Sequence, residues 1–121
     1  MYEIDVDKEK NRLTIVLQGT ISKAEALKAN REIVSAVTHL KRGFDVINDI
    51  SKYETTEKKN EELFVQSIKF LKMRGVNNVI RVVGNSKEAL VKFATVTKEV
   101  AQYNVKYVPT MEDAEELLER G

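Results

Sequence analysis

A carboxylate and a hydroxyl stand two residues apart at Asp49 and Ser51, closing the apolar run Phe44-Asp45-Val46-Ile47-Asn48. The run reads as a parallel strand, so both groups are expected at its C-terminal mouth, where α/β folds keep their sites. There they could bind a ligand or a partner, although Asx and Ser residues at strand ends also serve to satisfy loop amides. Just beyond lie Tyr53, Thr55 and Thr56, followed by Lys58 and Lys59. If a helix begins at one of the threonines, a phosphate on Thr55 or Thr56 would meet free backbone amides and a favourable dipole, with Glu54 and Glu57 opposing it. The simpler role for either threonine is the N-cap, which needs only its side-chain oxygen. Asp49, Ser51, Tyr53, Thr55 and Thr56 are therefore the candidates for partner or ligand contact, with Thr55 and Thr56 also candidate phosphorylation positions.

Other reactive groups read as scaffold. His39 is the single histidine; it falls near the end of an expected helix, where an imidazole suits the dipole, and no nucleophile with an orienting acid accompanies it. Gly84-Asn85-Ser86 could hold an anion on its amides, but dinucleotide and phosphate loops need several glycines at fixed spacing. A tight turn followed by a cap accounts for it. Receiver-type phosphotransfer needs an acidic cluster after the first parallel strand, where this chain has Gln18-Gly19-Thr20. Glu57, Glu61 and Glu62, with Lys58 and Lys59, form a charged run that reads as the solvated face of a helix. No catalytic residues, no metal and no cofactor are expected.

Composition narrows the class further. The 121 residues suit one domain spanning residues 1–121, and 42% hydrophobic with 32% charged content is that of a globular protein. A net charge of +1 offers no electrostatic footprint for nucleic acid or an anionic membrane. The absence of cysteine removes disulfide and thiolate chemistry, and together with an acidic, alternating start it fits a cytoplasmic location. No apolar run approaches a membrane span.

Hydropathy patterning supplies the elements that must position these groups. Tyr2, Ile4 and Val6 alternate with acids, and Leu13, Ile15 and Leu17 alternate after a polar loop, predicting an antiparallel pair with the first strand at an edge. Ser22 and Glu25 form a capping box opening a helix with Leu27, Ile33, Val34, Val37 and Leu40 as its apolar stripe, ended by Lys41-Arg42-Gly43. The third strand is expected over 44–50. A second helix follows from Thr55 or Thr56 to Gly75, carrying Phe64, Val65, Ile68 and Leu71. Val79–Val83 is a fourth strand, Leu90, Phe93, Val96 and Val100 mark a third helix, and Val105, Tyr107 and Val108 a fifth strand. Thr110 and Asp113 cap a last helix pinned by Ala114, Leu117 and Leu118. The order ββαβαβαβα predicts an α/β fold with a mostly parallel five-stranded sheet and four helices, strands three and four lying centrally.

That order, with an antiparallel N-terminal strand, resembles the STAS domain, and within it the SpoIIAA-like branch. Asp49-Ile50-Ser51 is similar to the Asp-Leu-Ser ending the family's third strand. Arg81-Val82-Val83-Gly84-Asn85-Ser86 resembles the branch's strand-to-helix passage. The stretch from Thr110 to Leu118 is similar to its closing helix, with Leu117 where the branch often has tryptophan. The resemblance implies a non-enzymatic regulatory module of the anti-sigma factor antagonist kind, meeting a protein partner or a second copy of itself, as a homodimer, through residues 49–59. Members that switch partners carry a phosphorylated serine in Asp-Ser-Ser-Gly at the second helix. This chain has Tyr53-Glu54-Thr55-Thr56-Glu57 there, so the phosphoswitch does not carry over. The alternative role is a carrier for a lipid or other small apolar molecule, held between helices and sheet.

Overall fold

The alternating N-terminal stretches form β1 (Tyr2–Asp7) and β2 (Arg12–Ile21), paired antiparallel from Tyr2↔Leu17 to Asp7↔Arg12 in a computed structural model that describes residues 1–56, 61–84 and 104–120. Asn11 closes the hairpin loop with φ 54°, a left-handed conformation that asparagine tolerates. Its side chain also ties down a distant loop, donating to the Lys41 carbonyl at 3.1 Å and accepting from the Lys41 amide at 2.8 Å.

Helix α1 (Lys23–Val37) opens with the expected capping box: Ser22 Oγ accepts from the Glu25 amide at 3.2 Å, and Glu25 Oε1 accepts from the Ser22 amide at 3.4 Å. Its inward stripe differs from the expected one. Ala26, Ala29, Ile33, Ala36 and Val37 are buried, whereas Leu27 and Val34 are 37% and 45% exposed. Alanines at 26, 29 and 36 let the helix lie close to the sheet, which turns the larger Leu27 and Val34 outward. The helix stops at Val37 with Thr38 as C-cap, so Lys41 and Arg42 lie beyond its last turn.

Strand β3 (Asp45–Thr56) lies between β2 and β4 (Asn78–Val82), parallel to both, and β5 (Asn104–Val108) pairs parallel with β4. The five-stranded sheet has the order β1-β2-β3-β4-β5, with β1 at one edge as its strict alternation requires. Helix α2 (Glu61–Met73) connects β3 to β4. It ends in a Schellman motif, the Val76 amide bonding the Leu71 carbonyl at 3.1 Å and the Gly75 amide the Lys72 carbonyl at 3.1 Å. The expected third helix, Asn85 to Val100, lies outside the described residues.

Helix α3 (Met111–Arg120) starts where Thr110 Oγ1 accepts from the Asp113 amide at 3.1 Å and donates to the Asp113 carboxylate at 2.8 Å. Alternation along the strands makes two cores. Val46, Ile50 and Val79 join residues of α1 and α2 in the larger one, while Ile47, Ile80 and Val82 meet Ala114, Leu117 and Leu118 of α3 on the other face. Among the described residues there are three helices, and none is long and apolar enough to cross a membrane.

Candidate functional site

β3 outruns its neighbour. Its pairing with β4 ends at Asp49↔Val82, yet its pairing with β2 continues to Thr56↔Ile21. The expectation that the strand ends at Ile50 and a helix begins at Thr55 or Thr56 is corrected accordingly: Thr55 and Thr56 are strand residues paired with Thr20 and Ile21, and α2 starts at Glu61. Tyr53, Thr55 and Thr56 are strong strand formers, and two register slips let them extend the ladder. Val16 faces Asp49 but Gln18 faces Lys52; Gly19 faces Tyr53 but Thr20 faces Thr55. At each slip β3 advances one residue further than β2, the geometry of a β-bulge. Gly19, at φ +65°, supplies the left-handed backbone the second slip uses.

Asp49-Ile50-Ser51 lies at the first slip. The Ser51 amide and hydroxyl both donate to Asp49 Oδ1, at 3.0 and 2.6 Å. The carboxylate therefore braces the bulge, the local role that strand-end aspartates commonly take. Because of the extra residue, Ile50 and Tyr53 share the larger core although they stand three positions apart. Tyr53 is 6% exposed. As a contact residue it departs from the expectation, since its ring lies inside the protein and supports the rim from below. Lys52 and Glu54, outside the expected set, are the exposed side chains here, with Asp49 and Ser51 half-buried. Their alternation with Tyr53 is a period-two signal that the sequence carried. Gly84, at φ +57°, leaves β4 directly against this rim, where an added Cβ would lie 3.1 Å from Ser51 Cβ.

Inside the sheet, Asn48, Arg81 and Tyr107 are register partners in one row across β3, β4 and β5. Asn48 Nδ2 donates to the Ile15 carbonyl at 3.2 Å, and Arg81 Nη1 donates to Tyr107 Oη at 3.1 Å. Sequence reasoning did not single out this row, though an arginine inside Val79-Ile80-Arg81-Val82-Val83 was the available sign. His39 is exposed just past α1. A hydrogen bond from the N-terminal amine, aided by the Ser22 amide, holds the Glu25 carboxyl below its usual range, and desolvation with the Glu32 hydrogen bond raises the Tyr2 phenol. Among the described residues no group of three His, Cys, Asp or Glu side chains could hold a metal.

No protein-family model and no curated protein sequence matches the chain. Solved structures do. An uncharacterised protein from Shewanella loihica PV-4 with a SpoIIAA-like fold is similar at TM-score 0.76 and 12% identity, over 97% of this chain and 93% of that one. The Bacillus cell fate determinant SpoIIAA in its phosphorylated form is similar at TM-score 0.68 and 12% identity, over 98% and 99%. An anti-sigma factor antagonist from Mycobacterium paratuberculosis is similar at TM-score 0.62 and 14% identity, over 98% and 95%. The chain has the SpoIIAA-like fold.

Proposed function

We propose that this chain is a one-domain, non-enzymatic regulatory module of the cytosol that binds a protein partner through the rim where β3 outruns β4. The observation that carries the reading is the overhang itself: past Asp49 the strand pairs with β2 and presents Lys52 and Glu54 to solvent on a backbone braced by the Asp49–Ser51 bonds. Such a rim offers both charge signs and needs no reactive group. Its strongest support from known proteins is that structures of the same fold include anti-sigma factor antagonists.

The partner surface is Asp49, Ser51, Lys52 and Glu54. Tyr53 sets the rim's shape from beneath. A phosphate switch at a helix N-terminus is no part of this reading, because Thr55 and Thr56 belong to a strand. Nor is a lipid carrier favoured. The cavity between α1, α2 and the sheet is about 70 Å³, about half the volume of a cavity of about 150 Å³ that holds benzene.

The test is a paired charge reversal, Lys52→Glu with Glu54→Lys, which preserves net charge and leaves the buried residues untouched. Proteins of the native host retained on the immobilised wild-type chain are quantified against the variant. Loss of a retained protein by tenfold or more, with an unchanged circular dichroism spectrum, is the expected result. An identical retained set would contradict the rim as the binding surface.

A further inference from the structure

Strand β1 is an edge of the sheet, and one side of its backbone faces no other strand among the described residues. Which groups lie on that side follows from the hydrogen bonds at its start. Met1 and Gln18 exchange two bonds, the Met1 amine donating to the Gln18 carbonyl at 3.0 Å and the Gln18 amide to the Met1 carbonyl at 2.8 Å. Bonded and non-bonded pairs alternate along an antiparallel ladder. Glu3, Asp5 and Asp7 therefore bond inward to β2, across from Val16, Thr14 and Arg12. The N–H and C=O groups of Tyr2, Ile4 and Val6 point the other way, toward the open edge.

The side chains divide by the same alternation. Tyr2, Ile4 and Val6 pack against the larger core, so Glu3, Asp5 and Asp7 lie on the opposite face of the sheet. Helix α3 meets that face at Ile47 and Ile80 of β3 and β4, and Glu3 and Asp5 remain exposed. Asp7 has Arg12 opposite it and accepts from the Lys10 amide at 3.0 Å. Glu3 and Asp5 have only Val16 and Thr14 opposite them, and neither forms an ion pair among the described residues. On the α1 side, the surface beside Tyr2 carries Glu25 and Glu32 against Lys28, so neither side of the edge holds a basic excess. An open edge is a template for a further strand, and charges placed opposite one another decide which strand pairs well. A second copy of β1 matches poorly, because pairing Ile4 with its own copy sets Glu3 opposite Asp5, acid against acid.

We propose that β1 receives an extended segment of another protein as an additional strand, and that this segment alternates apolar and basic residues. Its backbone bonds the outward groups of Tyr2, Ile4 and Val6, its lysines or arginines stand opposite Glu3 and Asp5, and its apolar residues extend the face that Tyr2, Ile4 and Val6 begin. The backbone bonds supply affinity for any extended chain, and the two acids select a basic one. None of these residues belongs to the rim, so the two surfaces are separate.

The experiment titrates the chain with a capped peptide alternating lysine and valine, and with its glutamate–valine counterpart, while NMR follows amide hydrogen exchange. Saturable binding of the lysine peptide is expected, with exchange slowed at the Tyr2, Ile4 and Val6 amides. The Glu3 and Asp5 amides, already bonded to β2, should change little, and this period of two distinguishes an added strand from loose attraction between charges. Glu3→Lys with Asp5→Lys is expected to weaken the lysine peptide by about tenfold or more, since each opposed pair passes from attraction to repulsion. Should that variant fold poorly by circular dichroism, Glu3→Gln with Asp5→Asn is expected to weaken it in the same direction. Failure of the lysine peptide to bind would overturn the proposal, as would binding without slowed exchange at the three outward amides. Equal binding of the glutamate peptide would remove the acids as selectors. Slowed exchange at those amides on raising the concentration of the chain alone would assign the edge to a second copy, and the proposal would fall.

Discussion

Gly84 and Ser51 show how closely the rim is built at the level of single residues. Gly84 combines φ +57° with a Cβ position 3.1 Å from Ser51 Cβ, while Gly19 has φ +65° with nothing within 4 Å of its Cβ position. Gly84→Ala is therefore expected to cost more than Gly19→Ala. The backbone component alone is about 1–2 kcal/mol, and only at Gly84 does a steric displacement of Ser51 add to it. Urea unfolding of the two variants measures the difference; equal losses would mean that Ser51 moves aside freely. The chemistry at Asp49 and Ser51 was legible as a strand-end pair, because an acid and a hydroxyl there commonly close on local amides. The alternation of Tyr53 with Lys52 and Glu54 was legible, but not which of them faces the core. The inward direction of Tyr53 depends on the extra residue at the first slip, and side-chain alternation counted through a bulge assigns the wrong face.

Helix α1 is the element whose ends and faces have separate causes. Its start was readable from Ser22 and Glu25, since the capping box is a local hydrogen-bond pattern written in two residues. Its buried face was not, because alanine contributes little to a hydropathy stripe and yet alanines are what the sheet accepts at 26, 29 and 36. The capping box also predicts a pH dependence. Glu25 has its folded-state pKa lowered by the N-terminal amine and then by the Ser22 amide. A carboxyl depressed on folding adds stability that is fully present above its unfolded pKa, about 4.3 for glutamate, and is lost as pH falls through the folded value. Thermal unfolding followed from pH 7 to pH 3 should therefore show a decline at the acid end that is shallower in Glu25→Gln. An identical acid limb in the variant would remove Glu25 as its source.

At the scale of the molecule, the sheet was legible because each strand keeps an apolar face and each connection is either a short loop or a helix-sized crossover. The edge position of β1, the parallel run from β2 to β5 and the cap of α3 all follow from such local signals. What stayed hidden depends on relations between elements. The overhang of β3 exists because β4 stops at Val82 while β2 continues to Ile21, and the cavity exists because small residues from two helices meet over one row of the sheet. Neither is encoded in a single stretch of residues. On the proposed function, that overhang is where another protein lands. Hydrogen–deuterium exchange of the chain, free and mixed with a protein retained by it, tests this most directly. Peptides covering residues 49–56 should gain protection in the mixture while those from α3 exchange as before. Protection confined to α3 or to the outer face of α1, with 49–56 unchanged, would contradict it.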